Sequence, residues 1–393
     1  MTSYSDNTHL SSSADTSNQT RAPEPWDLKG TLSKKPPRFI RNTTDSVHTP
    51  MPEMTSDSFL RTTFAELLKE SEGKPLEERL IAYDACDDQE VKAPVGMFRK
   101  RLDSRRNTKP KKPDNQVRVC EPFNPSAFNF TKIANSNERL LHLEAAGSSY
   151  SLLTNKFPLF KNHMLLAADA MVAQQMTLDR LSAVTQLLKR SSFCAYFNSW
   201  MASASVNHFH CHLIDERPPV TEFPLSVGPL VNGERCLVPR GFAGSCYVFA
   251  HAQLALIDAV IIGMQACNQP HNLLFTQQHV YVFPKPLERP ARSFELYPET
   301  VGGPELIGSF TTYTQPNFDS LSETAVEELV RINTAALPAW MLAPRNDRRG
   351  ARAAPVTSQT RPAAKRQRAA VTDDEYDKPL VMQRSVSFEL VSF

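Results

Sequence analysis

The sequence has no long apolar run. A membrane-spanning helix needs about 20 consecutive apolar residues, and no stretch of the 393 residues approaches that length. The N-terminus also lacks the basic segment followed by an apolar one that marks a secretory signal. The seven cysteines are odd in number and form no C-x-x-C pair, which fits a reducing compartment better than a secreted disulfide framework. We therefore expect a cytoplasmic protein without a membrane contact.

An excess of charge of either sign is also missing, since the net charge is only +2. Basic residues nevertheless concentrate in two places. One run lies between Arg99 and Lys112, and we interpret it as a solvated loop because no stacking aromatics are interleaved with it. The other lies within residues 345–368 and fits either a nuclear import signal or a flexible solubilising tail. Nucleic acid is therefore not an expected partner.

Large apolar side chains are unevenly spread along the chain. Residues 1–50 are rich in Ser, Thr, Asn, Asp and Pro and cannot bury enough surface to offset the entropy lost on ordering. We predict a disordered tail over residues 1–50, a helical and basic lead-in over 51–119, a folded domain over 120–340, and a disordered basic tail over 341–393.

Three histidines alternate with apolar residues in SVNHFHCHLI, residues 205–214. Alternation with a period of two predicts a strand, with His208, His210 and His212 on one side and Phe209, Cys211 and Leu213 packed beneath. Burying three imidazoles together is costly unless they have partners and a use. Two chemistries would use such a row: a metal site, or a nucleophilic histidine that attacks phosphorus.

This pattern resembles the histidine-triad (HIT) nucleotide hydrolases and transferases, a superfamily that includes galactose-1-phosphate uridylyltransferase and the dinucleoside tetraphosphate phosphorylases. The resemblance implies an α+β fold in which helices flank an antiparallel sheet. Residues 246–283 repeat the order of strand, helix and hairpin without a triad. We therefore expect two degenerate HIT-like halves within a catalytic domain that spans residues 120–340.

The resemblance also implies roles for individual residues. His210 would attack the α-phosphate of a nucleotide and carry the nucleotidyl group covalently, with a backbone carbonyl holding its other ring nitrogen. Five residues would bind the phosphate or nucleotide: His208, His212, Ser205, Asn198 and Asn155. No metal and no cofactor are expected. The loop at residues 201–205 usually carries glycine in this superfamily, whereas MASAS stands here, so its shape is open to question.

The GDP-hexose phosphorylases are the branch that the sequence resembles most. Residues 123–132, with Phe128 and Phe130 expected to face the core, resemble the first strand of that branch, and Asn207 before the triad resembles it too. We predict a strand here with residues 139–143 as its hairpin partner. The favoured function is cleavage of a GDP-hexose by inorganic phosphate to GDP and hexose 1-phosphate, through a guanylyl-histidine.

Two other functions remain open. His212 stands where phosphorylases generally have glutamine and triad hydrolases have histidine, so a HIT-type nucleotide hydrolase is an alternative, as is a dinucleoside polyphosphate phosphorylase. A non-catalytic nucleotide-binding protein is the alternative of another class. The expected partners are a nucleotide sugar or dinucleotide and inorganic phosphate. A homodimer, the identity of the hexose and the identity of the base are left open.

Overall fold

A computed structural model describes residues 57–85, 91–108, 116–189, 191–342 and 381–383. The predictions for the tail at 1–50 and for most of the tail at 341–393 lie outside these residues. The described chain is a mixed α+β structure in which an antiparallel sheet is flanked by helices, as the sequence predicted. No helix of the described ranges is long and apolar enough to cross a membrane.

Most strands belong to one large sheet. The strands are β1 Val91–Val95, β2 Phe98–Leu102, β3 Arg139–Ala145, β4 Ser148–Thr154, β5 Met164–Ala168, β6 Cys194–Asn198, β7 His210–Ile214, β8 Leu225–Val231, β9 Glu234–Pro239, β10 Tyr247–Ala250, β11 His271–Phe275, β12 His279–Pro284, β13 Ser309–Thr312 and β14 Val381–Gln383. The helices are α1 Asp57–Ser71, α2 Leu178–Leu188, α3 Leu254–Ala266, α4 Ala291–Leu296, α5 Gly303–Leu306, α6 Gln315–Ser320, α7 Glu323–Ile332 and α8 Ala339–Leu342.

The order of strands in the large sheet confirms the duplication. It runs β14-β3-β4-β5-β7-β6-β11-β12-β10-β9-β8, and β1, β2 and β13 form a separate small sheet. Each half therefore contains three strands, a helix (α2 or α3) and two further strands, arranged in mirror-image order about the β6–β11 junction. That junction is antiparallel and places Asn198 opposite Asn272. The two halves thus meet at a pair of asparagines.

The two faces of the sheet are covered by different layers. Phe209, Cys211 and Leu213 of the triad segment belong to one core with α2 and α3, while Tyr196 and Ile214 belong to the other core with α5, β13 and α7. Successive side chains of a strand point to opposite faces. Because three apolar side chains point to the first face, the histidines lie on the second.

The strand and hairpin predicted from residue 123 onward are wrong. Residues 120–129 form no strand, and a 3₁₀ turn follows at Phe130–Lys132, while β3 pairs with β4 instead. Two prolines, Pro122 and Pro125, remove backbone donors from the segment. Asn129 then satisfies the backbone locally, because its side chain accepts a hydrogen bond from Thr131 N at 3.2 Å. Phe130 is buried as predicted, but Phe128 is 58% exposed.

The first half of the basic run between Arg99 and Lys112 is not the solvated loop that the sequence indicated. Its first half contains β2, which pairs in parallel with β13, and both Arg101 and Arg106 are buried. Arg101 forms an ion pair with Glu216 at 3.3 Å. The interpretation as a solvated loop is therefore wrong for this half. The sequence did not reveal the ion pair because Glu216 lies more than a hundred residues after Arg101. Residues 109–112 lie outside the described ranges.

Candidate active site

A cavity of about 540 Å³ opens on the face of the sheet that carries the histidines. Four of the predicted site residues line it: His212, Ser205, Asn198 and Asn155. Further lining residues that the sequence did not single out are Arg106, His163, Tyr196, Glu299, Tyr313 and Asn317. The remaining predicted residues, His208 and His210, are not among the residues that line it and are buried at 0% and 3% exposure.

His210 begins β7 and is held through its backbone and its ring. Its Nδ1 lies 2.8 Å from the carbonyl oxygen of His208. Because a carbonyl can only accept, Nδ1 carries the proton and Nε2 keeps the lone pair of the neutral ring. The His210 and His212 ring centroids are 5.3 Å apart. The expected contact with a backbone carbonyl is therefore present, and it places the ring proton on Nδ1 and not on Nε2.

Both ring nitrogens of His208 have partners within the protein. Nε2 lies 2.8 Å from the Ala170 carbonyl oxygen, and Nδ1 accepts a hydrogen bond from Phe130 N at 3.1 Å. Burial lowers the pKa of this imidazole, with the Ala170 carbonyl acting in the opposite direction. His208 is thus a neutral ring that fixes the start of the strand, and its ring nitrogens are not directed to a phosphate as the sequence predicted.

His212 contacts a fourth histidine that the sequence analysis did not assign to the site. His163 Nδ1 accepts a hydrogen bond from Leu159 N at 2.9 Å, and its Nε2 lies 3.0 Å from His212 Nδ1. A backbone N–H can only donate, so the neutral His163 ring carries its proton on Nε2 and donates it to His212. His212 then carries its own proton on Nε2. Its ring is stacked on Tyr196, with centroids 4.3 Å apart and an angle of 2° between the planes.

Asn198 ends β6 at the junction of the two halves. Its Oδ1 accepts hydrogen bonds from Asn272 Nδ2 at 2.7 Å and from Gly303 N at 3.0 Å. Because Oδ1 is used twice, Nδ2 is the group that can donate to a ligand in the cavity. The backbone of Gly303 lies so close to Asn198 and Tyr196 that only glycine fits, since a Cβ at this position would lie 2.6 Å from both Asn198 Oδ1 and Tyr196 Cδ2.

Asn155 and Ser205 lie on loops at the cavity wall. Asn155 Oδ1 accepts a hydrogen bond from Phe157 N at 3.1 Å, which shapes the loop after β4. Its Nδ2 lies 3.1 Å from His163 Nε2, a contact without a hydrogen bond when that nitrogen carries its proton. Ser205 ends the loop in which glycine was expected, and that loop contains left-handed residues, Met201 at φ 71° and Ser203 at φ 82°. The unusual shape questioned from the sequence is therefore real, and it carries backbone strain.

Gln174 is a buried residue that the sequence did not assign to the site. Its Oε1 accepts a hydrogen bond from His210 N at 2.8 Å. Its Nε2 donates to the carbonyl oxygens of His210 at 3.0 Å and of Asn198 at 2.9 Å. One amide side chain thus ties the ends of β6 and β7 together, and it holds the backbone on which the proposed nucleophile sits.

Another wall of the cavity comes from the segment between α4 and α6. Glu305 Oε2 accepts a hydrogen bond from Gly302 N at 2.7 Å. Burial raises the pKa of Glu305 to about 6, with the Gly302 N–H and Lys285 acting in the opposite direction. Lys285 donates to the Val301 carbonyl oxygen at 2.6 Å, and burial lowers its pKa to about 8. These contacts hold the loop that faces the triad.

The triad does not have the geometry of a metal site. His208 uses both ring nitrogens, and His210 uses Nδ1, on groups of the protein itself. Within the described ranges, no group of three or more His, Cys, Asp or Glu residues is arranged to hold a metal ion. Three of the six ring nitrogens of the triad are therefore bonded to backbone groups.

One family model matches part of the chain. Residues 63–214, which include the triad, match the family model described as GDPGP1-like, N-terminal domain. None of the curated proteins that were compared matches the sequence.

Three solved structures of yeast Ap4A phosphorylase Apa2 are similar to this chain. Each comparison covers 70% of this chain and 97% of the yeast chain. The enzyme alone shares 13% identity with a TM-score of 0.47, its complex with Ap4A 12% with 0.48, and its complex with AMP 13% with 0.49.

Proposed function

We propose that this chain, which carries a GDPGP1-like N-terminal domain at residues 63–214, is a nucleotide phosphorylase. Its substrate in this proposal is a GDP-hexose, and its products are GDP and hexose 1-phosphate. The observation that carries the proposal is the hydrogen bond between His210 Nδ1 and the His208 carbonyl oxygen at 2.8 Å. Because that bond places the ring proton on Nδ1, Nε2 is the unprotonated nitrogen of the neutral imidazole and is the atom that we assign as the nucleophile.

In the first half-reaction, His210 Nε2 attacks the α-phosphorus of the GDP-hexose. A bond forms between Nε2 and phosphorus, and the bond from phosphorus to the oxygen that bridges the two phosphates breaks. Hexose 1-phosphate leaves with that oxygen. The Nδ1 proton remains on the ring and faces the His208 carbonyl, which supports the positive charge that develops on the imidazole.

In the second half-reaction, an oxygen of inorganic phosphate attacks the same phosphorus. The bond from phosphorus to Nε2 breaks, GDP forms, and His210 returns to its neutral tautomer. His212, Ser205 and Asn198 line the cavity beside His210 and would donate to the phosphate oxygens in both steps. Positioned donors of this kind stabilise charge as it moves in the transition state.

A hydrolase is the second candidate, and one contact favours it. His212 is an ionisable group in the third position of the triad, and it lies 3.0 Å from His163. An ionisable ring in this position can exchange protons with a leaving group or with water, whereas the amide of glutamine cannot. In that case the nucleotidyl group would pass to water, and the product would be a nucleoside monophosphate.

Product analysis separates these functions. The substrates are GDP-glucose, GDP-L-galactose, GDP-mannose and diadenosine tetraphosphate, each incubated with and without inorganic phosphate, and His210→Ala is the control. We expect GDP and hexose 1-phosphate only when phosphate is present, and no product with the variant. Release of GMP without phosphate would instead identify a hydrolase, and turnover of diadenosine tetraphosphate alone would identify a dinucleotide enzyme. Absence of turnover and of covalent labelling would indicate a binding protein.

A further inference from the structure

The cavity wall opposite the triad contains a buried carboxylate that is only half used. Glu299 is 6% exposed and lines the cavity. Its Oε1 accepts hydrogen bonds from Tyr313 N at 3.0 Å and from Asn317 Nδ2 at 2.8 Å. Its Oε2 is buried and has no hydrogen-bond partner among the residues that the structure describes.

An unpartnered carboxylate oxygen is costly in a buried position. Buried polar groups are almost always hydrogen-bonded, because desolvation without a compensating bond is costly, and more so for a charged group. Glu299 lies on a cavity wall, so a bound ligand that donates a hydrogen bond would remove this cost. The ligand group that Glu299 recognises is therefore a donor.

The use of Oε1 restricts the kind of donor. The Watson–Crick edge of guanine presents two parallel N–H groups and suits a carboxylate with both oxygens available. Glu299 offers one oxygen, because the other already accepts two bonds. A single acceptor beside an amide suits a hydroxyl group, which has one proton to donate and lone pairs that can accept.

A cation lies on the same wall. Arg106 is 6% exposed, and its Nη1 donates to the Phe157 carbonyl oxygen at 2.7 Å. Its Nε is buried without a partner among the described residues. Arginine carries a fixed charge and pairs well with phosphate, so the wall offers a cation for a phosphate and an acceptor for a hydroxyl.

We propose that Glu299, Asn317 and Arg106 form the subsite for the leaving hexose 1-phosphate, with Glu299 Oε2 accepting a hydrogen bond from a sugar hydroxyl. This inference rests on the proposed function, since the subsite lines the same cavity as His212 of the triad and Ser205. It assigns the contact with the sugar hydroxyl to the segment that follows the second half, whereas the nucleophile lies in the first half.

The test is calorimetric titration of the full chain with α-D-glucose 1-phosphate, α-D-mannose 1-phosphate and β-L-galactose 1-phosphate, which requires no turnover. Glu299→Gln keeps an oxygen for Tyr313 N and replaces a charged acceptor by a neutral group. Because hydrogen bonds to charged acceptors are roughly twice as strong as neutral ones, we expect hexose 1-phosphate affinity to fall about tenfold while GDP affinity is unchanged. Asp319→Asn is the matched control, since it removes one carboxylate from the exposed side of α6, and it should change neither affinity.

Deoxy analogues of the bound sugar phosphate identify the hydroxyl. The wild-type chain should bind one deoxyhexose 1-phosphate about tenfold less tightly than the parent sugar, and this discrimination should shrink in Glu299→Gln. If the role of Glu299 were purely structural, Glu299→Gln would weaken the binding of every ligand, including GDP. That result would overturn the inference. It would also be overturned if no hexose 1-phosphate bound, or if Glu299→Gln bound them as the wild type does.

The outcomes separate the two proposals. Hexose 1-phosphate binding that depends on Glu299, without phosphorolysis of any GDP-hexose, would support the subsite and refute the proposed reaction. Phosphorolysis that is unaffected by Glu299→Gln, together with unchanged binding, would support the reaction and refute the subsite.

Discussion

At the scale of the residue, the site is organised by groups that hold the backbone and the tautomers. The His208 carbonyl oxygen accepts a hydrogen bond from the His210 ring. Gln174 bonds the backbone N–H and the carbonyl oxygen of His210, and His163 donates to His212. Each of these groups acts through a fixed donor or acceptor, so the direction of each hydrogen bond follows from chemistry alone. The proposed nucleophile is therefore positioned before any ligand binds.

Burial of imidazoles also has a consequence for stability. Burial lowers the pKa of His271 to about 4, with the Gln269 carbonyl acting in the opposite direction, against a value of 6.5 for the free side chain. The folded state thus binds this proton less readily than the unfolded state. The stabilising contribution of the neutral His271 ring is therefore fully present above about pH 6.5 and is lost as the pH falls towards 4. Between about pH 7 and pH 4.5 this single residue should account for about 2 kcal/mol of that loss.

Denaturant unfolding of the wild type and of His271→Gln at these two pH values measures this contribution. The decrease in the free energy of unfolding should be about 2 kcal/mol smaller in the variant. His279→Gln provides the comparison: its ring is only half-buried, so it should reduce the pH dependence less. An equal pH dependence in wild type and His271→Gln would contradict the assignment of a neutral buried ring.

At the scale of the element, the short helix α5 forms the wall of the site. Its first residue, Gly303, donates its N–H to Asn198 at 3.0 Å, and no side chain fits there because a Cβ would lie 2.6 Å from Asn198 Oδ1. Asn198 in turn is fixed by the β6–β11 pairing. The position of the donor in the cavity therefore depends on three elements at once.

Gly303→Ala tests this dependence. The added methyl group must displace Asn198 or Tyr196, so we expect a destabilisation of about 1–3 kcal/mol together with at least about a tenfold loss of kcat/KM. Gly147→Ala is the control. Gly147 has φ +72° and no atom within 4 Å of a Cβ, so it should lose stability through backbone strain but keep its activity. Equal activity of the two variants would argue against a role for α5 in the site.

Elements with a clear local pattern could be predicted from the sequence, and those that depend on distant partners could not. The alternation around His208, His210 and His212 gave β7 and the side on which the histidines lie. The segment at 120–133 resembles a strand in its apolar spacing, but Pro122 and Pro125 prevent pairing. Glu299 and Arg106 escaped notice because their role depends on a cavity formed by segments about 190 residues apart in the sequence.

At the scale of the whole molecule, the two halves have the same arrangement of strands but different uses. The first half carries His210 on β7, whereas the corresponding strand of the second half, β12, carries no triad. The second half instead provides β11, which fixes Asn198, and is followed by the segment that carries Glu299. The account therefore predicts a single nucleotidyl-accepting residue in each chain.

Covalent labelling tests this central claim most directly. The full chain is incubated with GDP-glucose labelled at the α-phosphate, in the absence of inorganic phosphate, and the label is located by peptide mapping after a quench at alkaline pH. We predict one labelled nucleotidyl group per chain on the peptide that contains His210, release of that label as GDP when phosphate is added, and no label on His210→Ala. Label on another residue, label on His210→Ala, or phosphate-dependent turnover without any labelled intermediate would contradict the account.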